Sequence, residues 1–357
     1  MARAVRNRRV PDRPRDRDGG CSVRAQLSLT VAEGKRLIAR AISSAPEVRR
    51  ALRHGRILLK GGTTVSAVAE ALVGAPLRIS GRISPRGTQA AQHPDLASPH
   101  TIVIERGEPR NVDHNVAAAV ATLGPGDVAV LGANIIDAQG HAAMMAGRTM
   151  GGVPGRALAG LMAQGARILV AAGLEKLTRG SVGDAIRASG MAGCDWSLGM
   201  PVGLMPIVGR LVTEVEALEL LSGLRATVIG RGGIDGAEGG VTLAVQGPEP
   251  AVRRAIDAVL AVRGATTSGA ASSWPESGEH VIGAADAHPV LSGGRPGQDG
   301  GRRNRHASDR NHYDRTAASE RHEPGGSHDS RRSRRARGGR TRDRTSVGSR
   351  HAASIRP

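Results

Sequence analysis

Short apolar runs alternate with helix-periodic segments through the middle of this sequence. Thr30 and Glu33 have the spacing of a capping box before an apolar-periodic run, which predicts a helix that begins near Val31. The alternation that follows predicts an α/β fold, an open parallel sheet with helices on both faces. The predicted strands cover 56–59, 77–83, 101–104, 127–131 and 167–170, and the later predicted helices cover 47–54, 65–72, 112–122 and 157–163.

Four segments differ in pattern along the chain. Residues 27–200 carry the α/β pattern and form the predicted ligand-binding domain. Residues 201–264 read strand, helix, strand, strand, helix, which predicts a small C-terminal α+β subdomain resembling a split βαβ motif. Both flanking segments lack apolar periodicity. Residues 1–26 are predicted to be a disordered basic extension, and residues 265–357, which are rich in Arg, Gly and His, a disordered tail.

The positive charge lies mostly at the two ends. The net charge is +18, of which residues 1–26 carry +5 and residues 265–357 carry +7, so that subtraction leaves +6 for the middle. An Arg-rich tail is able to bind single-stranded RNA, and this stays an alternative. The tail has only one Tyr and one Trp for base stacking. We therefore expect no nucleic-acid partner except through the basic ends.

Composition also limits the compartment and the cofactors. No apolar run approaches the roughly 18 residues that a transmembrane helix needs, so we expect a soluble protein without a membrane partner. Cys21 and Cys194 are the two cysteines, which is too few for a disulfide framework and favours the cytoplasm. The scattered histidines have no metal spacing, and we expect neither a metal nor a cofactor.

A glycine loop is the clearest candidate binding element. Gly61, Gly62, Thr63 and Thr64 follow the strand over 56–59 and precede a helix. Glycines let backbone amides approach an anion, the helix N-terminus adds its positive dipole end, and threonine hydroxyls add donors. A tight strand-to-helix turn also prefers glycine with a threonine cap, so a structural interpretation stays open.

A second polar segment follows the strand over 127–131. Asn134 and Asp137 emerge where open α/β folds bind ligands, at the carboxyl end of the sheet. Arg148 and Thr149, in a Gly-Arg-Thr step, are candidates for pairing with phosphate or carboxylate. Asp137 alone is more simply explained as a turn residue. Arg86, in a Ser-Pro-Arg-Gly-Thr cluster, is a candidate phosphate clamp or a plain loop residue.

The order of these motifs, followed by a strand that leads to Lys176, resembles the superfamily of sugar-phosphate isomerases and CoA transferases. This superfamily includes ribose-5-phosphate isomerase, glucosamine-phosphate deaminase and the methylthioribose-phosphate isomerase branch, to which the chain is most similar. The resemblance covers roughly residues 55–185. It implies a phosphate or CoA contact at the glycine loop, a reacting edge at Asn134, and Lys176 near the anionic group of the ligand.

One departure from the family pattern concerns the chemistry. Asn134 stands where those isomerases have a catalytic Asp, and an amide is unable to act as a general base. Glu105, after the strand over 101–104, is a candidate replacement because a strand-end Glu is the nucleophile in the CoA-transferase branch. Asp113 is another, although Asp before a helix more commonly caps it.

Two functions follow from these expectations. The first is an isomerase-like or transferase-like enzyme that binds a phosphorylated sugar, a nucleotide or a CoA-type anion. The second is a non-catalytic ligand-sensing or regulatory subunit of the same fold, which Asn134 favours. The C-terminal subdomain is expected either to support a homo-oligomer or to cover the ligand cleft.

Overall fold

A computed structural model describes residues 22–89, 98–270 and 273. The capping box predicted at the start of the first helix is present: the hydroxyl of Thr30 accepts from the backbone of Glu33, and the carboxylate of Glu33 accepts from the backbone of Thr30. Thr213 and Glu216 repeat this capping box. The helices are α1 (Val31–Ser44), α2 (Pro46–His54), α3 (Thr63–Val73), α4 (Val116–Ala121), α5 (Gly152–Ala163), α6 (Val182–Ala188), α7 (Glu214–Ser222) and α8 (Glu249–Leu260).

The strands are mostly short, which fits the short apolar runs of the sequence. The predicted run over 77–83 contributes only its last residues to a strand. The strands are β1 (Ser22–Leu29), β2 (Arg56–Lys60), β3 (Arg82–Ser84), β4 (Gly87–Gln89), β5 (Thr101–Glu105), β6 (Glu108–Asn111), β7 (Val128–Gly132), β8 (Ile135–Ile136), β9 (Ala142–Ala146), β10 (Arg167–Ala171), β11 (Gly203–Ile207), β12 (Arg210–Val212), β13 (Thr227–Gly232) and β14 (Gly240–Pro248).

A six-stranded sheet in the order β12-β10-β7-β2-β5-β6 forms the centre of the fold. The four strands from β12 to β2 are parallel, whereas β5 and β6 are antiparallel to their neighbours. The α/β class is therefore confirmed, but the sheet is mixed. Arg106 and Gly107, both with positive φ, join β5 to β6 in a two-residue hairpin turn. Apolar runs alone carry no information about strand direction, so this antiparallel side was not predictable from them.

Helices cover both faces of this sheet. On one face, Ile57 and Leu59 of β2 pack with α1, α3 and α7 in the larger core. On the other face, Leu58 of β2 packs with α4, α5 and the small sheet β11-β9-β8. Successive residues of a strand point to opposite faces, so both sides of β2 are apolar and fully buried.

The predicted domain boundaries are wrong at three places. Residues 22–26 belong to β1, which pairs with β14 along its whole length. The segment 201–264 is not a separate subdomain, because β12 lies in the central sheet, β11 pairs with β9, and β14 pairs with β1. At the third boundary, residues 265–270 lie on the folded unit, and Ser268 and Ser273 are buried there. The rest of the predicted disordered ends, 1–21, 271–272 and 274–357, lies outside the described residues.

Among the described residues, no helix combines the length and the apolar character that crossing a bilayer requires.

Candidate functional site

The carboxyl ends of β2 and β7 form a topological switch point in the central sheet. From β2 the chain leaves through α3, on the face of the larger core, and reaches β5 on one side. From β7 it leaves through α5, on the opposite face, and reaches β10 on the other side. The connections from these two adjacent parallel strands therefore run in opposite directions. In open α/β proteins the region beyond such strand ends is the crevice in which ligands bind.

The glycine loop forms one wall of this crevice. A side chain on Gly61 would collide with the His100 ring and with the carbonyl oxygen of Arg78, so only glycine fits there. The backbone N–H of Gly61 donates to the carbonyl of His100 at 2.8 Å. Gly62 has φ 152°, and the space where its side chain would be is open. The backbone of the loop is therefore accessible at Gly62 and closely packed at Gly61.

The first turn of α3 lacks a side-chain cap. Its N-cap is Gly62, which has no side-chain oxygen to accept from the first N–H groups of the helix. Thr64 lies in this turn and is 2% exposed, and its hydroxyl oxygen has no hydrogen-bond partner among the described residues. Because a buried hydroxyl without a partner is costly, this threonine indicates a missing polar group.

Lys60, the last residue of β2, brings a positive charge to the loop. Its ammonium nitrogen lies 3.2 Å from His100 Nε2, and Lys60 is buried. Burial lowers the pKa of Lys60 to about 8, although the charge of Asp113 acts in the opposite direction. Burial and the Lys60 charge likewise lower the pKa of His100, which keeps this imidazole neutral.

Asp113 holds the segment that carries His100. Its carboxylate accepts from the backbone N–H groups of His100 at 2.8 Å and Thr101 at 2.7 Å, and it lies 3.7 Å from the Arg78 guanidinium. The expectation that Asp113 caps a helix is wrong, since Asn115 is the N-cap of α4. Asp113 reaches this edge because β6 is antiparallel to β5 and ends beside its start.

Glu105 lies at the opposite edge of the sheet. Because β5 is antiparallel to β2, Glu105 pairs with Arg56 at the start of β2, about 13 Å along the strand from Lys60. Its carboxylate lies 2.9 Å from the Arg56 guanidinium, beside a shallow cavity of about 250 Å³. The expectation that Glu105 acts as a nucleophile beside the glycine loop therefore fails on geometry.

Asn134 borders the crevice but is held by its own hairpin. Its side-chain oxygen accepts from the backbone of Met145 at 2.9 Å, and its backbone N–H donates to Ala143. Asp137 is the turn residue expected from the sequence, and its buried carboxylate also accepts from the backbone of Val182 at 3.0 Å. The amide of Asn134 thus has a structural role in addition to any contact with a ligand.

The structure places the other predicted site residues, Arg148, Thr149, Arg86 and Lys176, in separate parts of the fold. Arg148 and Thr149 are exposed and precede α5, whose start faces the carboxyl edge because α5 returns the chain to β10. Arg86 lies in the turn between β3 and β4, a separate two-stranded hairpin. Lys176 follows β10, about 10 Å from the end of β2 across two strand spacings. The structure therefore brings the glycine loop, Asn134 and Lys176 to one edge of the sheet.

Asp113 is a candidate in the sequence analysis, but its partners in the triad, Lys60 and His100, are not. Lys60 directly precedes the glycine loop, so its position was a usable signal. His100 is 40 residues further along the chain, and no local pattern connects it with Lys60. Within the described ranges there is no group of three His, Cys, Asp or Glu side chains that could hold a metal ion.

The mixed six-stranded sheet with helices on both faces defines an α/β protein, and its glycine loop and buried Lys60 lie at the carboxyl end of β2. No protein-family model matches the chain. Comparisons with curated proteins and with solved structures also gave no match.

Proposed function

We propose that this protein binds a small ligand through a phosphate or carboxylate group at the loop formed by Gly61, Gly62, Thr63 and Thr64. The observation that carries the proposal is the buried Thr64 hydroxyl without a partner, in a helix turn that has no side-chain cap. An anion supplies an acceptor for this hydroxyl and for the backbone N–H groups of the turn. Phosphorylated sugars, nucleotides and CoA esters are ligand classes with such a group.

Lys60 supports an anion at this position for a second reason. Its buried ammonium has His100, a neutral imidazole, as its close partner, while Asp113 is engaged with two backbone groups. A bound phosphate or carboxylate compensates the buried charge, and the interaction is strong because the surroundings exclude water. The same lysine, with its pKa near 8, is able to exchange a proton with a ligand near neutral pH.

The proposal is tested by titrating the full chain with inorganic phosphate in a calorimeter and comparing Gly62→Asp with Gly62→Asn. The two variants place side chains of the same size on the same backbone, so they differ in charge. We expect Gly62→Asp to abolish phosphate binding and Gly62→Asn to retain part of it. Equal binding by the two variants, or no binding by the unmodified protein, would refute the proposal.

A non-catalytic, ligand-sensing role is the second candidate. Two observations favour it over isomerase or transferase chemistry: Asn134 is committed to its hairpin, and Glu105 lies at the opposite edge. Incubation with a panel of sugar phosphates in D₂O separates the candidates. An isomerase with Lys60 as its base replaces a carbon-bound hydrogen of its substrate with deuterium, and Lys60→Met stops that exchange, whereas a sensor binds a ligand without exchange.

A further inference from the structure

Four charged residues form a second cluster beyond the ends of β10 and β12. Lys35 comes from α1, Glu175 and Lys176 from the turn after β10, and Glu214 is the first residue of α7. The side chains of Lys35 and Glu175 are 13% and 17% exposed, and Glu214 is 2% exposed. A mixed charged cluster this deeply buried is expensive unless its members are paired or bind a ligand.

The two carboxylates of this cluster converge on one point. A side chain on Gly173 would collide with Glu175 Oε2 and would lie 2.9 Å from Glu214 Oε1. A side chain on Gly34 would collide with Glu214 Oε1 as well. Glu214 is fixed because its other oxygen accepts from the backbone N–H of Leu174 at 2.9 Å. Two glycines thus provide the room in which the carboxylates meet.

Glu175 lacks the hydrogen-bond donors that a buried carboxylate requires. Neither of its buried oxygens has a hydrogen-bond partner within the described part of the chain. The ammonium of Lys35 lies 3.6 Å away, close enough for charge attraction and too far for a normal hydrogen bond. Since buried polar atoms in proteins are nearly always partnered, this carboxylate indicates a donor other than the described side chains.

The turn between β13 and β14 lies over the cluster. A side chain on Gly239 would contact Glu175 Cβ at 3.5 Å, and the Arg231 guanidinium donates to the carbonyl of Leu174. Gly233 and Gly236 also have positive φ, so glycines hold much of this turn in conformations that other residues rarely adopt. The turn is thus positioned to cover a ligand bound at Glu175.

We propose that Lys35, Glu175, Lys176 and Glu214 form a second ligand site, for a neutral hydroxyl-bearing group, beneath the β13–β14 turn. A carboxylate accepts hydrogen bonds and an ammonium donates them, and a hydroxyl does both. Two lysines beside two glutamates disfavour a ligand of either charge. The site does not depend on anion binding at Gly61–Thr64, since it has its own residues.

The experiment is a nuclear magnetic resonance titration of the full chain with ribitol, a neutral polyol, and with dioxane, which accepts hydrogen bonds without donating them. We expect ribitol to shift the amide signals of residues 173–176 and 233–239 in a saturable way. Dioxane should leave those signals unchanged. Ribitol shifts that are spread over the surface, or that rise linearly without saturation, overturn the proposal.

Variants then assign the effect to the carboxylates. Glu175→Leu should abolish the saturable ribitol shifts, and Glu175→Gln, which keeps an acceptor and the same shape, should weaken them several-fold. Glu249→Gln, on the exposed start of α8, is the matched control and should bind like the unmodified protein. If Glu175→Leu does not fold, Glu175→Gln alone decides, because unchanged ribitol affinity in that variant contradicts the site.

A phosphate titration of the same samples separates this proposal from the anion site. Phosphate binding without saturable ribitol binding overturns the second site and leaves the first. Ribitol binding without phosphate binding overturns the anion site and leaves the second site.

Discussion

The ammonium nitrogen of Lys60 lies 3.2 Å from Nε2 of His100, and the charge of Lys60 disfavours protonation of His100. His100 Nδ1 faces the carbonyl oxygen of Arg78 at 2.8 Å, so this nitrogen carries the imidazole hydrogen. Nε2 is therefore the acceptor, and it receives a hydrogen bond from Lys60. Burial lowers the pKa of His100. The charge of Lys60 lowers it further, because protonation of His100 would place two positive charges side by side.

Phosphate binding should be accompanied by proton uptake near pH 8. Burial lowers the pKa of Lys60 to about 8, so roughly half of the protein holds a neutral lysine at that pH. A bound anion favours the charged ammonium and raises this pKa. Calorimetric titrations at pH 8, in two buffers with different ionisation enthalpies, should give different heats for the same binding. Identical heats in both buffers, or an unchanged difference in Lys60→Met, contradict the assignment of the proton to Lys60.

Thr64→Val should have opposite effects on stability and on binding. Without ligand, the replacement removes a buried hydroxyl that has no partner, so the free energy of unfolding should stay equal or rise by about 1–3 kcal/mol. With ligand, the lost hydrogen bond should weaken phosphate binding by roughly five- to tenfold. Urea unfolding and calorimetry measure the two effects. Thr64→Ser is the control, since it keeps the hydroxyl and should retain phosphate affinity.

Glu214 should make the protein less stable as the pH rises from about 4.5 to about 7. Its pKa is raised by burial to about 7 in the folded protein, against 4.5 ordinarily. In this window the folded state holds a proton that the unfolded state has lost, so the stability present below pH 4.5 is lost as the pH rises. The loss amounts to roughly 3 kcal/mol.

The Glu214→Gln variant distinguishes the effect of Glu214 on the pH dependence of stability from the effects of the other titrating groups. Denaturant unfolding at several pH values should show this slope in the unmodified protein and a reduced slope in Glu214→Gln, which keeps the acceptor for Leu174. Parallel slopes in the two proteins would mean that Glu214 is already ionised at low pH.

Glu105→Gln should leave phosphate binding unchanged. Glu105 lies at the amino edge of the sheet, and its pair with Arg56 is partly exposed on both sides. Exposed ion pairs contribute about 0–1 kcal/mol, so the unfolding free energy should fall by no more than that. Calorimetry and urea unfolding check both values. A clear loss of phosphate affinity would mean that Glu105 reaches the ligand in another conformation of the chain.

Local sequence signals predicted most of the elements correctly. The capping box of Thr30 and Glu33 placed the start of α1 at Val31, and Gly61 and Gly62 marked the junction of β2 and α3. These features depend on residues within one turn of each other. The triad of Lys60, His100 and Asp113 was not predictable in the same way, because it depends on the antiparallel direction of β5 and β6.

The boundaries failed for a related reason. β1 shows only weak alternation, and its partner β14 lies at the other end of the folded region. Pairing over such a distance leaves no local trace in either segment. The buried Ser268 is similar, since it forms hydrogen bonds with Ser66 and Glu70 of α3, about two hundred residues earlier.

The pairing of β1 with β14 also determines when the sheet that contains β1 is completed during synthesis. Ser22 lies opposite Pro248, so the first strand leaves the ribosome more than two hundred residues before its partner exists. At about 5–20 residues per second, that wait is roughly 10–45 s. Throughout it, Leu27 and Leu29 have no strand to cover them, although both are buried in the finished fold. The three-stranded sheet that contains β1 is therefore completed only after translation has passed β14.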